Sequence, residues 1–148
     1  MRKKGFTLIE LMIVVVIIAI IAVIAVPNLL ESRKAANESA AIGNCKTILN
    51  CQFQFRTLKK ATLNNAPRYA AGFPELVQHA LLDSGFSDGN KQSYNYILSP
   101  GGGQSTQFTC VCSPVSAADG GRAFYVDDSG SMTYSTGPYP NSASAGLD

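Results

Sequence analysis

Glu10 stands at the head of an unbroken apolar run, Leu11 to Val26, and that pairing of an acid with a membrane-length segment constrains the chain more than any other feature. From Phe6 to Val26 a helix rising about 1.5 Å per residue spans the roughly 30 Å hydrocarbon core of a bilayer. An acid in such a segment costs about 2.5 to 3.5 kcal/mol on insertion scales, so its presence calls for a function and a partner. Arg2, Lys3 and Lys4 precede the run and no basic residue follows until Arg33. This asymmetry places the first residues in the cytoplasm and the bulk of the chain outside. An ordinary secretory signal fits less well, because the acid opens the apolar core and the run ends Ala22-Val23-Ile24-Ala25-Val26-Pro27 without a clean small-residue cleavage site.

The junction Lys4-Gly5-Phe6-Thr7-Leu8-Ile9-Glu10 resembles the class III leader of type IV prepilins and type II secretion pseudopilins. The match is specific at Gly5, Phe6 and Glu10. The resemblance implies cleavage after Gly5 by a prepilin peptidase, N-methylation of the new terminus Phe6, and assembly into a filament in which Glu10 meets the Phe6 amine of an adjacent subunit. A contact between Glu10 and its own terminus is the simpler alternative, since the two lie four residues apart on one helical face.

Processing changes the charge. The full chain has twelve basic and ten acidic side chains, a formal +2, and loss of Arg2, Lys3 and Lys4 leaves nine against ten. No strongly cationic surface is implied, so direct nucleic-acid binding is not expected. The boundaries read from the sequence are a leader over 1–5, a transmembrane or filament-core half-helix over 6–27, and an extracytoplasmic head over 28–148. The residues beyond Pro27 suffice for one small domain.

After Pro27 the pattern turns amphipathic. Leu29, Leu30, Ala35, Ala36, Ala40, Ala41, Ile42, Cys45, Ile48, Leu49, Phe53 and Leu58 recur near the helical period, with charged and amide side chains between them. One helix is expected from about Phe6 to Leu58, bent or locally unwound around Val23 to Pro27 because proline removes a backbone donor and clashes with the preceding turn. Residues 59–92 read as a connector holding a short helix over Pro74 to Leu82. The period then becomes two, giving strands over Ser93–Ser99, Gln107–Ser113, Arg122–Val126 and Ser131–Thr136. Turns at Pro100-Gly101-Gly102-Gly103, Ala117 to Gly121 and Asp127-Asp128-Ser129-Gly130 separate them, and the tail from Pro138 to Asp148 reads as loose. The fold class is α+β: a long N-terminal helix packed against a small antiparallel β-meander, an order that again resembles the type IV pilins.

Four cysteines sharpen this outline. Cys45 and Cys51, six apart on the helix, are separated by a rise of about 9 Å and cannot pair without melting it. Cys110 and Cys112 share one face of a strand with Phe108. Both helix cysteines are therefore expected to bridge to the two strand cysteines, in either order. A four-cysteine zinc site fits the spacing poorly, and buried free thiols are the remaining alternative. His79, the only histidine, lacks an evident catalytic or ligand partner and reads as a surface or packing residue. Asp127-Asp128-Ser129-Gly130 lacks the ligand alternation of a calcium loop, and Gly101-Gly102-Gly103 precedes no helix to bind phosphate. Tyr94, Tyr96, Phe124, Tyr125 and Tyr134 read as sheet core and cross-strand pairs. Asn37-Glu38-Ser39 has the form of a glycosylation sequon, but it lies on the helix and the family is prokaryotic.

No catalytic set, cofactor or metal is expected. The sequence reads as a structural subunit of a type IV pilus, a filament type that serves motility, adhesion or DNA uptake. Its expected partners are identical or related pilin subunits, the prepilin peptidase, the assembly machinery and, before assembly, the inner membrane that it crosses once. The alternatives are a pseudopilin in a periplasmic type II secretion pseudopilus and a membrane-tethered binding domain. Type II major pseudopilins often carry a calcium loop in the head and lack disulfides, so the four cysteines favour the pilin side.

Overall fold

A computed structural model describes residues 5–58, 62–63, 66–101, 105–136 and 145–146. The leader residues Arg2, Lys3 and Lys4, the turn residues Gly102 and Gly103, and most of the tail from Pro138 lie outside the described residues. The chain divides into two compact units, one ending at Arg33 and the other beginning at Lys34.

Helix α1, Leu8–Thr57, contributes to both units. It ends within one residue of the position expected from periodicity. It also runs without interruption through Pro27, so the proline neither terminates nor unwinds it. One missing N–H is a small loss in a long helix whose other backbone bonds stay within the segment.

In the N-terminal unit the large apolar side chains from Leu8 to Leu30 are all exposed. α1 is long and apolar enough to cross a membrane, and its most apolar stretch has nothing buried inside the structure.

In the C-terminal unit α1 buries Ala41, Cys45, Ile48, Cys51, Gln52 and Phe55. Most of these recur at alternating steps of three and four, which keeps them on one helical face. Leu49 and Ile42 pack at its margin. The expected stripe is thus displaced at its end: Phe53 and Leu58 are exposed, while Gln52 and Phe55 lie inside. Phe53 lies about 100° around the helix from Gln52 and only meets the ring of Tyr69 edge-on, with centroids 6.1 Å apart.

That face packs on a six-stranded antiparallel meander in the order β3-β4-β5-β6-β7-β8: β3 Asn90–Lys91, β4 Tyr94–Gly101, β5 Gln107–Pro114, β6 Ala123–Asp127, β7 Met132–Ser135 and β8 Ala145–Gly146. The four strands expected from sequence are the four longest of these. Register aligns core-facing side chains in rows across the sheet: Tyr96, Cys112 and Phe124 in one, half-buried Leu98 with Cys110 and Val126 in the next. Directly opposed residues share a face, so each row presents a line of apolar groups to α1. The edge strands β3 and β8 have two residues each, too short for periodicity to register.

The connector holds more structure than one short helix. A hairpin of β1, Thr62–Leu63, and β2, Ala66–Pro67, forms a separate two-stranded sheet. Helix α2 covers Phe73–Gln78 only, and a 3-10 turn follows at Ser84–Phe86. α2 stops early because Ala80 adopts φ 56°, letting the Ala80 N–H donate to the Val77 carbonyl at 2.9 Å and the Leu81 N–H to the Leu76 carbonyl at 3.0 Å. This paired closure usually employs glycine, so alanine there gave no sequence signal. Gly89 is required twice over: its φ of 73° lies in the left-handed region, and a Cβ would lie 2.6 Å from the Tyr96 carbonyl oxygen.

Candidate assembly and processing site

Gly5, Phe6 and Thr7 lie outside the helix, and α1 begins at Leu8. The Thr7 carbonyl accepts from the Leu11 N–H at 3.3 Å, which makes Thr7 the residue that caps the helix. Its hydroxyl oxygen accepts from the Glu10 N–H at 3.3 Å, and Glu10 Oε2 accepts from the Thr7 N–H at 3.5 Å and from the Thr7 hydroxyl at 3.4 Å. Thr7 and Glu10 therefore form a reciprocal capping box. The T-x-x-E pattern of Thr7 and Glu10 is the sequence signal for this local use of Glu10. The box engages Oε2. Phe6, 81 % exposed, and Gly5 leave the peptide bond between them open to solvent.

The helix and head are tied by polar groups that hydropathy could not reveal. Buried Gln52 acts like a strand edge toward Ala70, its Oε1 accepting from the Ala70 N–H at 2.8 Å and its Nε2 donating to the Ala70 carbonyl at 3.2 Å. An amide side chain is the one group that supplies donor and acceptor together at that spacing. Glu38 accepts from the Gly121 N–H at 2.8 Å and from Arg122 Nε at 2.7 Å. Burial works to raise the Glu38 carboxyl, but the Gly121 N–H and the Arg122 guanidinium outweigh it and hold the group below the usual carboxylate value. Asn37 Nδ2 donates to the Asp119 carbonyl at 3.0 Å, so the amide of the apparent sequon is engaged in the fold. Arg68 and Glu75 form a bidentate pair beside the entry to α2.

His79 packs its ring edge-on against Phe55, with centroids 5.2 Å apart. Tyr94, Tyr96 and Phe124 lie in the core, whereas Tyr125 and Tyr134 are only half-buried.

The four cysteines are buried free thiols. Cys45 lies in one buried cluster with Cys110 and Cys112, whose thiols hold its own below the ordinary value. Cys51 instead donates its thiol to the Leu81 carbonyl at 2.9 Å. The structure thus brings three of the four expected partners together and sets Cys51 apart, which departs from the expected pair of bridges. The reason is rotational: Cys51 lies on the edge of the buried face that looks toward the connector, and the connector was not expected to fold back there. Among the described residues no group of three or more histidine, cysteine or acidic side chains is arranged to hold a metal ion.

No curated protein and no solved structure gives a significant match to the chain. A family model does: residues 1–26 match the prokaryotic N-terminal methylation motif. That motif covers the Gly5-Phe6 junction, the capping box and the apolar run together. Over its first 26 residues the chain therefore carries the N-terminal methylation motif, the class III leader found in type IV pilins and pseudopilins, and that match supports a precursor of this kind.

Proposed function

We propose that this chain is a structural subunit of a type IV pilus, held in the inner membrane by its N-terminal helix, cut after Gly5, methylated on Phe6 and then built into an extracellular filament. The observation that carries this reading is the uncovered apolar face from Leu8 to Leu30, headed by Glu10, in a chain whose Gly5–Phe6 bond lies outside the helix. A face of that size is soluble in a bilayer; once extracted it needs another apolar environment, and the same helices of neighbouring copies supply one. Repeated, non-closing contacts between identical subunits generate a fibre. Cleavage creates a cationic amine at Phe6, and Glu10 is the acid placed to neutralise that of an adjacent subunit. The role is assembly, with no chemistry asked of the head.

The test separates assembly from anchoring. Glu10→Ala removes an insertion penalty, so membrane levels and leader cleavage stay normal. Assembly loses its charge partner, and breaking a buried pair commonly costs about 3 to 5 kcal/mol, a drop of roughly a hundredfold or more in sheared filament. Normal filament yield from processed Glu10→Ala protein would refute the reading. The methylation motif also heads pseudopilins, so a pseudopilus subunit of a type II secretion system is the second reading. Loss of protein secretion with no surface filament, on deleting the chain, would select it.

A further inference from the structure

Cys45 on α1 and Cys110 and Cys112 on β5 form a three-thiol group sealed from solvent. Its alignment does not depend on the sulfur atoms alone. Asn44, the neighbour of Cys45, donates from Nδ2 to the Tyr96 hydroxyl at 2.9 Å, and Tyr96 is the register partner of Cys112. Cys110 is the next residue on the same strand face, and both it and Cys112 lie with Cys45 in one buried cluster. Cys51 is held elsewhere by the Leu81 carbonyl.

We propose that oxidation closes a single disulfide between α1 and β5, with Cys45 as its fixed helix-side partner and either Cys110 or Cys112 as its strand-side partner, while Cys51 remains a thiol. The oxidant is a second disulfide, either glutathione disulfide or that of a protein thiol oxidase. The Cys45 thiolate attacks one of its sulfurs, expelling the other as a thiolate and leaving a mixed disulfide on Cys45. The thiolate of Cys110 or Cys112 then attacks the Cys45 sulfur, forming the internal bond and releasing the second oxidant sulfur. Two electrons and two protons leave the protein, and the oxidant disulfide becomes two thiols. Because all three cysteines are buried, the exchange with the oxidant takes place before the core closes. The strand thiol left over adjoins the bridge and can displace its neighbour from Cys45, so the two isomers interconvert without a net redox change. The proposal is independent of which filament the chain builds.

The full-length protein, purified in detergent, reduced and unfolded, is refolded in a glutathione redox buffer, alkylated under denaturing conditions and digested with trypsin. Cleavage after Lys46 separates Cys45 from Cys51, and Cys110 and Cys112 stay together in the peptide ending at Arg122. The non-reduced digest should contain the Cys45 peptide linked to the Cys110/Cys112 peptide, with the Cys51 peptide fully alkylated. Cys110→Ser and Cys112→Ser should each retain the link, and the double variant should lose it. Full alkylation of all four thiols in the refolded wild type, or a linked Cys51 peptide, overturns the proposal on the wild-type protein alone, whatever the variants do. Loss of the link in one single strand variant and not the other overturns the choice of two partners.

Discussion

The two units use the same helix in opposite ways. Up to Arg33 its large apolar side chains face outward and nothing in the structure covers them. From Lys34 on, α1 brings its own covering: a sheet for Ala41, Cys45 and Ile48, the connector for Cys51 and Gln52, and Arg122 for Glu38. Helical propensity is satisfied in both. What differs is whether the apolar surface is matched within the chain or needs a bilayer or another subunit, and that decides which half can stand alone.

The sharpest way to break this comparison is to cut it. A chain starting at Lys34 retains the whole buried cluster and should be a soluble monomer that unfolds cooperatively, while the full-length protein stays in the detergent or membrane fraction. Sedimentation and thermal unfolding of the two decide it. An aggregated or unfolded truncation would mean that the N-terminal half of the helix is part of the head's core.

Next in size is the Gln52 clamp. Gln52→Leu keeps the volume but leaves the buried Ala70 N–H and C=O unpaired, at about 1 to 3 kcal/mol each when a buried group loses its partner. Denaturant unfolding of the truncated head should register a loss of about 3 kcal/mol. Insertion of the full-length protein into membranes should not change. A neutral result would mean that water or another group pairs Ala70.

Acid should act on the head before it acts on the membrane half. Glu38 and Glu75 have folded-state values below the ordinary 4.5, Glu75 chiefly through its hydrogen bonds with Arg68. A lowered carboxyl contributes stability that is fully present above the unfolded value and is lost as pH falls through the folded one. Head stability should therefore be flat above about pH 5 and fall below it. Glu38→Gln should flatten that acid limb by on the order of 1 kcal/mol, a modest figure because Arg122 is partly solvated. An unchanged limb in a pH series of melting curves would remove Glu38 from the account.

The smallest effect tests a backbone position. Ala80→Gly relieves the left-handed conformation that ends α2 and should raise head stability by about 0.5 to 1 kcal/mol. Destabilisation would show that the lost unfolded-state restriction outweighs the strain.

These contrasts mark where the sequence was legible. The apolar run, the Gly5-Phe6-Glu10 junction, the end of α1 near Leu58 and the four long strands all follow from patterns contained within about twenty consecutive residues. The short strands, the β1–β2 hairpin and the early end of α2 did not, because their signals were two residues long or ran through an alanine where glycine is usual. Phe53 was placed inside and Phe55 was not, although both are apolar, because periodicity gives the spacing of a face and not its direction.

The sequence by itself determined that this chain has a membrane-length helix with an acid at its head, a class III leader and an α+β layout, since transfer energy, helical period and strand alternation are properties of neighbouring residues. Only the tertiary structure decided that Glu10 caps its own helix through Thr7, that Gln52 serves Ala70, that Glu38 holds Arg122, and that Cys45 meets Cys110 and Cys112 while Cys51 meets Leu81. Apart from the capping box, each of these joins residues distant in the chain. Which side chain reaches which partner depends on the rotation of α1 over the sheet, and no local pattern fixes that rotation.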